Sequence, residues 1–206
     1  MKHAFASLAL FVSVLAGLPS CVSSGISSAA KLAALSPLDA NPAEFRVALF
    51  APAALRLKTG DVRLGFAWAE TGTLASTKVF DLEIVSGDSA AMQALQALQA
   101  LPAPGPSQQT IMLSLGAREV ESVLKFQQVV REAKKAGQNG SGNISVSLAG
   151  GCWREPFPAG SEPLPLDIWL QASAGSEYLP VIRGVDLRTI LKQAGLTSVP
   201  QCVSAS

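Results

Sequence analysis

The stretch VRLGFAWAE, residues 62–70, decides how this chain folds, together with KVFDLEIVSG, residues 78–87. In the first, Val62, Leu64, Phe66 and Trp68 alternate with Arg63, Gly65, Ala67 and Ala69. Bulky apolar residues at every second position are the mark of a strand with one buried face. In the second, Phe80, Leu82 and Ile84 alternate with Asp81 and Glu83. Thr71-Gly72-Thr73 lies between the runs and supplies a turn. The two runs are therefore expected to pair antiparallel.

Further elements flank this pair. On the N-terminal side FRVALF, 45–50, is a strand candidate that Pro52 ends, and Thr59-Gly60-Asp61 marks a turn. On the C-terminal side SAAMQALQALQAL, 89–101, is helical by propensity and is stopped by Pro102, Pro104 and Pro106. Its repeated Gln-Ala-Leu triplet drifts about 60° per step around a helix, so it forms no coiled-coil seam. TIMLSLG, 110–116, is a short strand candidate. AREVESVLKFQQVVREAKKAG, 117–137, is the clearest helix, with Val120, Val123, Leu124, Phe126, Val130 and Ala133 on one stripe. Glu119 and Glu121 near its start and Lys134 and Lys135 near its end suit the helix dipole. In ISVSLAGGCW, 144–153, Ile144, Val146 and Leu148 alternate with serines. Strand, helix, strand suggests a right-handed βαβ crossover if the two strands share a sheet. LDIWLQAS (166–173) and EYLPVIRG (177–184) are further strands, and VDLRTILKQAGL (185–196) is a short helix with Asp186 at its start and Gly195 at its end. The expected fold is an α+β two-layer sandwich over residues 44–206. It has a mostly antiparallel sheet of five or six strands and two or three helices.

Charge and histidine usage exclude several functions. After Lys2, the Lys and Arg residues total fifteen and are balanced by fifteen Asp and Glu. No basic patch is offered to nucleic acid. The single histidine is His3, so the remainder cannot build a Ser-His-Asp or Cys-His centre or a histidine zinc site. No GxSxG elbow, Walker lysine or GxGxxG loop is present. Asp81 and Glu83 lie about 7 Å apart on one strand face by strand geometry. With no third acidic residue at that spacing, they read as a solvated face. No catalytic group, cofactor or metal is expected.

The chain opens MKHAFASLALFVSVLAGLPSC, residues 1–21. Lys2 precedes an uncharged, mostly apolar run of fifteen residues, Ala4 to Leu18. A membrane span needs about 20 residues, whereas this length fits the core of a signal peptide. Leu18-Pro19-Ser20-Cys21 resembles the bacterial lipobox. The resemblance covers the leader alone. It implies diacylglyceryl transfer to the Cys21 thiol, cleavage before Cys21 and acylation of the new amine. Val22, where an Asp would signal inner-membrane retention, implies an outer-membrane destination. The alternatives are ordinary cleavage nearby, for instance after Ser24, which leaves a soluble periplasmic protein, and a retained anchor. Residues 1–20 are then signal peptide. Residues 21–43, rich in Ser, Gly and Ala before the first prolines, are a lipidated N-terminus and flexible tether, with a short helix near 29–35.

Cys152 and Cys202 are the other two cysteines. In an oxidising compartment two thiols most simply pair. The bridge closes a loop of about fifty residues, contributes roughly 4 kcal/mol on the chain-entropy model, and fastens the C-terminal tail. Trp153, Trp169 and Tyr178 are candidate contact residues on the surface. The leading functional expectation is a non-enzymatic lipoprotein on the periplasmic face of the outer membrane. It is held there through Cys21 and acts on an envelope protein partner. The alternative is a carrier or sensor of an apolar or envelope-derived ligand, which requires a large apolar pocket.

Overall fold

The computed structural model describes residues 39–70, 73–85 and 101–203. The leader with Cys21, residues 22–38 and all but Leu101 of the helix expected over 89–101 lie outside the described residues. Nine strands are present among the described residues: β1 (Arg46–Pro52), β2 (Leu55–Arg56), β3 (Val62–Glu70), β4 (Thr73–Ile84), β5 (Gln108–Leu115), β6 (Gly140–Leu148), β7 (Cys152–Trp153), β8 (Pro165–Gln171) and β9 (Leu179–Asp186). Two α-helices accompany them, α1 (Ala117–Lys135) and α2 (Leu187–Gln193).

Seven strands form one sheet in the order β6-β3-β4-β5-β1-β8-β9, and β2 and β7 form a separate two-stranded ribbon. Every neighbouring pair is antiparallel. The class is α+β, but the sheet is larger than the sequence suggests. It is not a flat layer under helices. It curls towards a barrel until its two outer strands, β6 and β9, line one cavity.

The pair read from the alternation forms with Leu64 opposite Phe80 and Phe66 opposite Lys78. Val62, Leu64, Phe66 and Trp68 all point into the main core. The βαβ crossover does not form. β5 and β6 are separated by β4 and β3 and run in opposite directions, because β6 pairs antiparallel with β3. β1 is buried on both faces. Val47, Leu49 and Ala51 join the main core, while Ala48 and Phe50 join an outer cluster with Leu101, Met112 and Tyr178. A continuous apolar run is what a strand covered on both sides requires.

α1 lays Val123, Phe126 and Val130 on the core, at spacings that keep them on one face. Phe126 lies 6.3 Å from Phe66, whose ring is also 5.8 Å from both Phe45 and Phe80. Burying each such side chain contributes about 1.5–3 kcal/mol. Lys134 lies 5.5 Å from the centre of the Trp68 ring. That ring occupies the space a Cβ at position 140 would need, so Gly140 is required there. Gln127, only 1% exposed, donates to the Ala40 carbonyl at 2.8 Å. Pro42 is also buried, in a 3-10 turn, Pro42–Glu44. Packing thus begins before residue 44, inside the segment expected to be tether.

Cys152 and Cys202 form a disulfide. It joins β7 to the C-terminal segment, which also pairs by backbone: Trp153 donates to the Pro200 carbonyl and Cys202 donates to that of Trp153, both at 2.8 Å. Among the described residues no helix is long and apolar enough to cross a membrane.

Candidate functional site

Where β6 and β9 face each other, the sheet encloses an apolar cleft of about 250 Å³. Leu49 of β1, Val62 of β3, and Leu166 and Ile168 of β8 form its buried floor. Val146 and Leu148 of β6, Ile182 of β9 and Ile190 of α2 are half-buried around it. Only Ser147 and Gln193 bring polar side chains, and both are exposed at the mouth. No charged residue lines it.

Local chemistry fixes α2 beside this cleft. The Asp186 carboxylate caps the helix by accepting from the Arg188 amide at 2.9 Å, and it also accepts from the Leu164 amide. The Arg188 guanidinium lies 5.8 Å over the Phe157 ring and donates to the Glu162 and Pro158 carbonyls. Leu187 and Leu191 are buried and hold the helix on the core. Ile190 and Gln193, three positions apart, then share the face turned to the cleft.

A second, more open hollow of about 310 Å³ lies beside the disulfide, among Arg56, Lys58, Asp61, Gly150, Gly151 and Cys152. Two of its charged groups are committed to the fold. The buried Asp61 carboxylate accepts from the Lys58 amide at 2.8 Å, and the Asp61 carbonyl accepts from Ala149 and Gly150. Arg56 donates to the Ala53 and Leu55 carbonyls and to Gln109. This hollow is a braced turn rather than a binding chemistry.

The aromatic residues expected on a contact surface do not form one. Trp153 is 4% exposed in the main core, edge-on to Phe157 at 5.1 Å. Tyr178 is 2% exposed in the outer cluster, and burial pushes its phenol pKa up. Trp169 is half-buried against Phe50 at 6.3 Å, with Arg183 over its ring at 5.7 Å. The disulfide pins Trp153 inward, and the second buried face of β1 takes up the other two.

Asp81 pairs with Arg63 at 2.9 Å on the surface. Among the described residues no three His, Cys, Asp or Glu side chains cluster as metal ligands would. Ser122 and Lys125 have the SxxK spacing of serine–lysine enzymes. Ser122 donates to the Arg118 carbonyl at 2.9 Å and Lys125 pairs with Glu121 at 2.7 Å, so each of the two is engaged with another partner. The cleft residues were legible only as alternating apolar positions, which a solid core produces equally well. Pro180 and Gly184 in β9 were the one hint that the sheet stops there. Compared with protein-family models, with curated proteins and with solved structures, the chain matches none.

Proposed function

We propose that this chain is an exported, lipid-anchored envelope protein that acts by binding rather than catalysis, and that its cleft receives the apolar chain of an envelope-derived ligand. The observation that carries the reading is the cleft itself. Its 250 Å³ exceeds the roughly 150 Å³ of an engineered apolar cavity that binds benzene. Apolar lining that stays in contact with water forgoes roughly 25 cal/mol for each Å² that a partner could bury. A ligand chain offsets that cost. With no charge on the lining, a charged head group stays outside, near Ser147 and Gln193. The lipobox-like leader supports anchoring at Cys21, and Val22 supports the periplasmic face of the outer membrane as its place. The aromatic contact surface, by contrast, has lost Trp153 and Tyr178 to the core, so the protein-partner reading is the weaker one.

The test is photolabelling of the full chain in vesicles containing a phospholipid with a diazirine in its acyl chain. Label is expected on peptides carrying Val146–Leu148 and Ile182–Ile190, and Ile168→Trp should remove it. Label spread evenly over the surface, or confined to the acylated N-terminus, sinks the proposal.

A further inference from the structure

The two edges of the seven-stranded sheet are built differently. β9 is protected: Pro180 lacks an N–H, Arg183 is exposed, and Gly184 sits at φ +61°. Charge, proline and backbone irregularity are how edge strands avoid adding another strand. β6 has none of these. It holds no Pro and no charge, and the uncharged run extends from Ala136 to Trp153. It pairs with β3 in unbroken register from Gly140 to Leu148, and among the described strands it has no partner on its other side. Gly140 to Asn143 and Ser145 are exposed.

The sequence of β6 also complements itself. Gly140, Gly142, Ile144 and Val146 share one face, and the last three lie opposite Trp68, Phe66 and Leu64 of β3, which face the core. Ser141, Asn143 and Ser145 share the outward face. Pairing two copies antiparallel about a two-fold axis through Asn143 sets Gly142 against Ile144 of the second copy and Gly140 against Val146. Small residues meet branched ones on the inner face, and Ser141 meets Ser145 on the outer face. No like charges oppose one another. A slip of one residue would put the serines against the apolar row.

We propose that this edge is the interface of a homodimer, joined by antiparallel β6–β6 pairing centred on Asn143. The pairing ends at Val146, beside the cleft mouth, and does not depend on what fills the cleft. A two-fold contact of this kind is isologous, so it closes at two chains and does not propagate.

The full chain carrying Asn143→Cys tests it in the cell envelope. Directly opposed residues of an antiparallel pair lie about 4.5–5.5 Å apart between Cα atoms, within disulfide reach. Mild oxidation is expected to give a covalent dimer with Asn143→Cys and none with Ser147→Cys, which is on the same face but away from the axis. Wild type extracted in detergent is expected to have the mass of two chains, and Ser145→Lys should halve it. A single-chain mass for wild type, or equal crosslinking at both positions, overturns the proposal. A crosslink from Asn143→Cys to a different protein also overturns it and assigns the edge to a strand of another chain.

Discussion

Two regions of the interior are filled in different ways. Under α1, Phe45, Phe66, Phe80 and Phe126 meet ring against ring at 5.8–6.3 Å. Between β6 and β9, aliphatic side chains leave about 250 Å³ open. The helices account for much of the difference. α1 runs nineteen residues and buries Val123, Phe126, Gln127 and Val130. α2 runs seven and buries only Leu187 and Leu191. A short helix of leucine and isoleucine cannot fill the gap left where a curled sheet fails to close. The molecule therefore keeps its close packing and its open apolar space in separate places.

The largest effect should come from the aromatic region. Phe66→Ala is expected to cost about 3–5 kcal/mol in urea unfolding, because a close-packed ring leaves a cavity behind. Ile190→Ala, half-buried beside space that is already open, should cost about 1 kcal/mol. Equal losses would break the distinction between the regions. Next comes Cys202→Ser. Removing a bridge that spans fifty residues should cost roughly 2–4 kcal/mol. It should loosen the segment around Trp153, read by its fluorescence, and leave acyl-chain labelling of the cleft unchanged.

How much of this could be read in the sequence depended on whether one face or two were buried. β3 and β4 were legible because Phe66 and Phe80 face the core while Arg63 and Asp81 face water. β1 was legible as a strand, yet its second buried face was not. Trp169 packs on that face, as a tryptophan on the polar side of a strand does under a second layer, and Tyr178, expected as a contact residue, is buried there. β2 and β7 hold two residues each, too few for any period to show. The direction of β6 is set by pairing with β3, whose partners lie 70 (Glu70 to Gly140) to 86 (Val62 to Leu148) positions earlier in the chain. No local pattern carries that information. The cleft was illegible for a simpler reason: Ile168 and Ile182 alternate in the same way whether the space beside them is filled or empty.

Filling the cleft sharpens the comparison from the other side. Ile168→Trp extends a ring into open apolar volume, and cavity filling commonly adds about 0.5–2 kcal/mol. The variant should unfold at higher urea and lose acyl-chain label. The same kind of enlargement under α1, Val123→Trp, should destabilise by about 1–3 kcal/mol, since overpacking a solid core forces strain. A loss of stability in Ile168→Trp would mean that the cleft closes in solution.

The smallest expected effect is a pH dependence confined to the α1 side. The Glu44 carboxylate accepts from the Ala174 amide at 2.9 Å and from Asn41 at 2.9 Å. These bonds, the Ala174 bond first, hold its pKa below the ordinary 4.5. A carboxyl with a depressed folded-state pKa contributes its stability above the unfolded value and loses it as pH falls through the folded one. Glu44 ends the 3-10 turn that packs on α1. Acid should therefore release the link between this turn and the loop after β8, while the cleft, with no charged lining residue, stays unchanged. Amide exchange at Ala174 is expected to quicken, relative to neighbouring amides, as pH falls through the lowered Glu44 pKa, below the ordinary 4.5. In Glu44→Gln that acid step should vanish. An acid step that persists in Glu44→Gln would assign the titration to another group, and one that also alters acyl-chain labelling would show that the two regions are coupled.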